Sequence, residues 1–231
     1  MKNAIITGAS KGIGLAITKS LIDNGYLVYG IARDFSATKY SSDSFIKMNC
    51  DLTKTSQIVQ CIEQIKTEAN TIDILVNNAG VGFFSPHEQL NIQHIEKMVA
   101  TNLQAPLILT NLLLRKLKSA EGYIINISSI TAKKSSTHGC AYAATKAGLS
   151  HFSISLFDEV RKSGVKVVTI HPDMTDTGFF NNTDFTISDD PFCHISPEDV
   201  AQCVTNILKQ PEGTIISDIV IRPQKHGVKK K

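Results

Sequence analysis

The chain has 231 residues and a mass of 25.2 kDa, which suits one large α/β domain with a full sheet core and leaves no room for a second of that size. Apolar residues make up 42% and charged residues 19%, which excludes a disordered chain. The net charge is +3, but Lys225, Lys229, Lys230 and Lys231 crowd into the last seven residues; no nucleic-acid footprint covers the body of a single domain over 1–223, and a basic tail over 224–231 is expected to fray in solvent.

Ala4-Ile5-Ile6 is a short apolar run followed by Gly8-Ala9-Ser10-Lys11-Gly12-Ile13-Gly14, after which Ile13, Ile17 and Leu21 recur at helical spacing. This reads as strand, glycine turn and amphipathic helix, with Gly25 closing the helix. Glycines at such a turn let the backbone approach a pyrophosphate, and the helix beyond offers free N–H groups and the positive end of its dipole. The next strand, Tyr26 to Ala32, ends in Arg33, where an NAD-type site would place an acid for the ribose 2′-hydroxyl. Arg33 and Lys11 suit a 2′-phosphate instead, which favours NADP over NAD. Asp34 is the complication, since a shift of one residue would put a carboxylate there.

A third strand runs from Phe45 to Cys50, and Asp51 at its end either caps the next helix or bonds an adenine amino group, roles that are not exclusive. Thr55 to Glu68 carries an inward stripe of Ile58, Ile62 and Ile65. Ile72 to Val76 is a buried parallel strand ending in Asn77-Asn78-Ala79-Gly80. From Glu88 a long helical stretch leads to Asn102, where Pro106 should kink or restart the helix and so free a main-chain carbonyl for water. Leu107 to Leu117 is richer in leucine than one buried face needs, which hints at a partner subunit.

Gly122 to Ile127 is another central strand, with Ser128 and Ser129 at the carboxyl end where open parallel sheets bind ligands. The loop Ile130 to Gly139 leads to Tyr142-Ala143-Ala144-Thr145-Lys146, in a helix that runs to about Ser163 and stops at Gly164. Residues four apart share a helix face, and an ammonium beside a phenol favours the phenolate, so Lys146 is expected to lower the Tyr142 pKa. The same spacing also arises by chance on solvated helices. A sixth strand ends at His171-Pro172-Asp173, Pro197 starts a last helix through Leu208, and Asp218 to Arg222 is a short final strand. The five cysteines form no C-x-x-C pair, so neither a disulfide framework nor a zinc site is suggested. No apolar run approaches the roughly eighteen residues of a membrane span, and the N-terminal run meets Gly8 too soon for a secretory segment. A cytoplasmic location is the expectation, and the sequons at Asn126 and Asn181 are then accidental.

Thr7 to Gly14, Asn77-Asn78-Ala79-Gly80, Asn102, Ser129, Tyr142-x-x-x-Lys146 and Pro172 to Thr177 stand in an order that resembles the short-chain dehydrogenase/reductase family over nearly the whole chain. The resemblance implies a doubly wound, Rossmann-type parallel sheet of about seven strands with helices on both faces. It implies NADP across the strand ends, a small carbonyl or alcohol substrate, and a homodimer or homotetramer. Its catalytic set is Asn102, Ser129, Tyr142 and Lys146; Ser129 is preferred to Ser128 by its thirteen-residue spacing to Tyr142. Its cofactor set is Gly8, Ser10, Lys11, Gly12, Ile13, Gly14, Arg33, Asp51, Asn78, Gly80 and Thr177, with Tyr142 and Lys146 at the nicotinamide end. Asn102 would hold water at the helix break. Asp173 departs from the family's glycine and is expected either to tolerate a positive φ or to point its carboxylate at the substrate, which would disfavour acidic ones. Phe83, Phe84, Ile130, Lys133, Cys140, Met174, Phe179 and Phe180 are candidate substrate walls, and the polar segment Asn181 to Ile195 argues against a large lid. A different class of reading, a catalytically weak NADP-binding regulator on the same fold, would ordinarily lack the Tyr or the Lys.

Overall fold

The computed structural model describes residues 1–180, 183 and 185–230. In chain order these form β1 (Lys2–Thr7), α1 (Gly12–Asp23), β2 (Tyr26–Ala32), β3 (Phe45–Asn49), α2 (Thr55–Glu68), β4 (Ile74–Asn77), α3 (Ile92–Val99), α4 (Ala105–Ser119), β5 (Tyr123–Ile127), α5 (Cys140–Val160), β6 (Lys166–Pro172), β7 (Phe185–Ile187), α6 (Pro197–Leu208), β8 (Asp218–Ile221) and β9 (Val228–Lys230). Seven strands make one parallel sheet in the order β3-β2-β1-β4-β5-β6-β8. The chain therefore winds outward from β1 in one direction and, after β3, returns to continue in the other. That reversal opens a crevice at the carboxyl ends of β1 and β4.

Alternation along the buried strands assigns side chains to two cores. Ile5, Leu75 and Ile124 join α2, α4 and α5 on one face, while Ala4, Ile6, Val76 and Ile125 join α1 and α6 on the other. α2 occupies the expected span, its Ile58, Ile62 and Ile65 all in the first core. α6 starts from a capping box in which Ser196 and Asp199 satisfy each other's backbone N–H.

Three elements differ from the sequence expectations. The stretch from Glu88 is a 3-10 turn (His87–Gln89), and α3 begins only at Ile92, because the Asn91 side chain accepts from Gln93 N and caps the helix there. Before Pro106 the helix is not simply kinked: Ala100–Gln104 winds as a π turn, and Pro106 sits in the first turn of α4 directly after it. Over its described residues, 224–230, the basic tail is not frayed. β9 pairs antiparallel with β7, and Lys225 and Lys229 reach Asp190 and Asp189 at 3.1 and 2.6 Å. Short strands on either side of an irregular segment leave too little periodicity to be read in advance. Asn181, Asn182 and Asp184, and with them the second sequon, lie outside the described residues.

Candidate active site

The crevice is a cleft of about 1080 Å³ running along the strand ends. It is lined by Gly8, Ser10, Lys11, Gly12, Ile13, Arg33, Asp51, Asn78, Gly80, Ser129, Tyr142, Lys146 and Thr177; Gly14 and Asn102 stand behind its walls. At one end is the glycine turn. Gly8 and Gly12 have φ of +69° and +53°, a region that disfavours any side chain, whereas Gly14 serves packing, since a Cβ there would collide with the Gly8 carbonyl oxygen. Asn78 braces this turn, its amide donating to Thr7 O at 2.8 Å, while Thr7 Oγ1 accepts from the N–H groups of Asn78 and Ala79. Thr177 closes over Gly12, where a Cβ would come within 3.1 Å of the threonine methyl.

After β2, Arg33 and Asp34 both line the cleft. Asp34 turns back on its own loop, accepting from Ser36 N at 2.8 Å and Ser36 Oγ at 2.6 Å, and these bonds hold its carboxyl below the ordinary range. Asp51 behaves similarly: burial opposes its ionisation, but hydrogen bonds from Thr53 N and Oγ1 outweigh this and lower its pKa, with Arg33 assisting. The cations Lys11 and Arg33 are exposed, and neither forms a salt bridge among the described residues.

At the other end, Tyr142 and Lys146 enter from the first turns of α5, both almost wholly buried. Burial pushes the Tyr142 phenol up to about 12, a rise opposed by its hydrogen bond with Ser129. Burial also lowers the Lys146 ammonium to about 8. The direction is opposite to the expected lowering, because desolvation is the larger cause; the lysine Nζ lies 5.9 Å from the phenol ring centroid and donates to Ile127 O at 2.8 Å. The two serines after β5 have separate work. Ser128 Oγ donates to Lys146 O at 3.0 Å and meets Ser150, bracing α5 against β5, while Ser129 faces the cleft and Tyr142.

Asn102 is fully buried in the π turn. Its Oδ1 accepts from Val81 N at 2.9 Å, and its Nδ2 donates to Val81 O at 2.8 Å and Thr145 Oγ1 at 3.1 Å, so the amide clamps the loop after β4 onto α5. A Cβ placed on Gly80 would lie 3.4 Å from Lys146 Nζ and 3.6 Å from Asn102 Oδ1, which marks where the two converge.

Asp173 does not adopt a positive φ, so the turn after β6 needs no glycine. Its carboxylate accepts from Met174 N at 3.0 Å and pairs with Arg222 at 3.3 Å and Lys134 at 3.7 Å. His171 was not singled out by the sequence. It is fully buried, with Nδ1 3.1 Å from Ser129 O and Nε2 2.9 Å from Asp218 Oδ2. The ring thus bridges the Ser129 main chain and the Asp218 carboxylate. Asp218 also meets Lys133 at 3.0 Å, which anchors the Ser129 loop to β8 at two points. Only its place at the end of β6, the strand beside Ser129, could have drawn attention to this histidine.

Of the candidate walls, Phe84, Ile130, Met174, Phe179 and Phe180 line the cleft. Phe83 instead stacks on His94 with centroids 3.8 Å apart, Lys133 is taken by Asp218, and Cys140 faces His87 at 3.3 Å on an exposed surface. Phe185, from the segment set aside as polar, is a wall the sequence did not reveal.

The family model described as short chain dehydrogenase matches residues 2–186. This chain belongs to that family. An uncharacterized oxidoreductase of Staphylococcus epidermidis is 30% identical over 96% of this chain and 97% of its own. A metagenomic short-chain oxidoreductase solved in complex with NADP is 30% identical with a TM-score of 0.80, covering 96% of this chain and 97% of that one. An alcohol dehydrogenase of the archaeon Thermococcus sibiricus, at 23% identity, shares the fold with a TM-score of 0.89 over 98% and 99%. The short-chain dehydrogenase fold accounts for the seven-stranded sheet and the cleft at its switch point. No helix among the described residues is long and apolar enough to cross a membrane, and none of their His, Cys, Asp and Glu side chains cluster as a metal site.

Proposed function

We propose that this oxidoreductase is NADP-dependent and interconverts a carbonyl compound and its alcohol, with Tyr142 as the general acid and base. The observation that carries the reading is the meeting of Ser129, Tyr142 and Lys146 at one end of the same cleft whose other end is the glycine turn. The residues present fit a dinucleotide: a turn with two glycines at positive φ, the amino end of α1 beyond it, and Lys11 and Arg33 beside an Asp34 whose carboxylate is already bonded to Ser36. The NADP in the metagenomic relative agrees with the two cations.

When bound, the reduced nicotinamide supplies a hydride to the carbonyl carbon. The chain's own residues handle the oxygen and the proton. Ser129 hydrogen-bonds the carbonyl oxygen, and Tyr142 gives its phenolic proton to that oxygen as negative charge develops. Ketone or aldehyde, reduced cofactor and one proton become alcohol and oxidised cofactor, and Tyr142 is reprotonated from solvent. A phenol raised by burial is held protonated, as an acid should be, and Lys146 at about 8 carries its charge at neutral pH to stabilise the phenolate that results. Asn102 positions Gly80 and Val81 against that lysine. Assembly as a homodimer or homotetramer and a cytoplasmic setting belong to the same reading.

The test is oxidation of NADPH against a panel of aldehydes and ketones. Tyr142→Phe should lower kcat about 10³-fold with little change in NADPH affinity, and undiminished turnover would remove Tyr142 from the mechanism. Arg33→Ala should weaken NADPH far more than NADH; equal losses would end the 2′-phosphate assignment.

A further inference from the structure

Around Tyr142 the aromatic rings form a closed circuit. Phe84 and Phe179 flank the phenol, with centroids 5.4 and 5.8 Å from it. Phe179 meets Phe180 at 5.3 Å, Phe180 meets Phe185 at 5.4 Å, and Phe185 returns to Phe84 at 5.7 Å. All four phenylalanines line the cleft and are half-buried. They come from the loops after β4 and β6 and from β7, three separate parts of the chain, so this wall is assembled by the fold. Gly82 and Gly139 make room for it: a Cβ on Gly82 would lie 2.8 Å from Phe179 and Phe84, and one on Gly139 would lie 3.0 Å from Phe84. Rings at these separations gain from edge and offset contacts and offer no donor to an anion.

Among the described residues, the cations around the circuit have partners of their own: Lys134 and Arg222 pair with Asp173, Lys133 pairs with Asp218, and Lys146 donates to Ile127 O. Lys97, His138 and His226 also line the cleft, but none of them is a member of the ring circuit. A substrate carboxylate lodged against the circuit itself would meet phenyl faces, and its desolvation would go uncompensated there.

We propose that the substrate is an uncharged aldehyde or ketone bearing an aromatic or alicyclic ring, or the alcohol derived from it, and that the site rejects hydroxy and keto acids. This rests on the oxidoreductase reading above. It narrows the earlier expectation of a small carbonyl or alcohol substrate.

Two aldehydes of matched shape test it on the full chain with NADPH: 4-methylbenzaldehyde and 4-carboxybenzaldehyde. The methyl compound should be favoured in kcat/KM by about 100-fold; parity, or preference for the acid, overturns the proposal. Phe185→Ala, at the outer side of the circuit, should weaken the methyl compound about 10-fold with NADPH binding unchanged, and an unchanged KM counts against the ring wall. Calorimetric binding of 4-methylbenzyl alcohol and 4-(hydroxymethyl)benzoate to the NADP-loaded chain separates this idea from the one beneath it. If neither aldehyde is reduced but the neutral alcohol alone binds, in a manner sensitive to Phe185→Ala, the ring site stands and the catalytic reading falls. If the neutral alcohol does not bind, the ring site falls.

Discussion

Burial drives Tyr142 and Lys146 in opposite directions on the pH scale but toward the same end, since it favours the neutral form of each. For Lys146 the consequence can be measured. Its pKa drops from an ordinary 10.5 to about 8, so between those values the unfolded chain holds a proton that the folded chain has released. Stability contributed by this residue therefore rises with pH across that window and is at its lowest below it. Relative to Lys146→Met, the natural chain should gain about 2 kcal/mol between roughly pH 7.5 and 9.5. Urea unfolding of both proteins at the two pH values measures this, and parallel behaviour would place the Lys146 pKa near its solvent value. Tyr142, raised to about 12, titrates above that range and does not confuse the comparison. The Lys-Tyr pair was legible as a spacing. The direction of the phenol's shift was not, because it depends on how much water the fold removes, which no spacing records.

At the scale of elements, the site depends on three pieces of irregular backbone. The π turn before α4 aims Asn102 at Val81, the turn after β5 separates the duties of Ser128 and Ser129, and β7 with β9 holds Phe185 against Phe84 and Phe180. The last of these is the weakest. Two strands of three residues each are marginal by themselves, and the ion pairs of Lys225 and Lys229 lie on exposed surface where salt screens them. Removing residues 224–231 should shift Tm by about 3 °C or less, while raising KM for an aromatic aldehyde as Phe185 loses its partner strand. Thermal melting and steady-state kinetics on the shortened chain check both. A collapse of Tm, or an unaltered KM, would show that the tail's place is different from this. The chain order and helix spacing made α1, α2 and α6 readable, since each has a periodic apolar stripe and a clear start or stop. β7 and β9 carry no such period.

For the molecule as a whole, α3, α4 and α5 leave an apolar surface uncovered. Ile154 is 60% exposed, Ile92 73%, Val99 43% and Leu107 37%. The proposed two-fold pairing would cover it, with the leucine-rich α4 against its own copy. Light scattering should then report a multiple of 25.2 kDa for the natural chain and a lower mass for Ile154→Glu. A natural chain that is monomeric at micromolar concentration contradicts the pairing. The sheet order, the switch point and the glycine turn at its edge are whole-molecule features that the βα alternation already implied.

By itself the sequence determined the periodic strands and helices, the glycine turn, and the identities and spacing of Ser129, Tyr142 and Lys146. These are local properties, set by side-chain period, by backbone freedom at Gly8 and Gly12, and by helical geometry. Tertiary structure alone decided that Asp34 binds its own loop while Arg33 stays free of salt bridges among the described residues, that His171 and Asp218 hold the Ser129 loop, and that four phenylalanines from three segments close a ring circuit with the phenol. The reason is physical. Desolvation, ion-pair partners and aromatic contacts depend on distances between residues far apart in the chain, and those distances exist only once the sheet and its loops are folded.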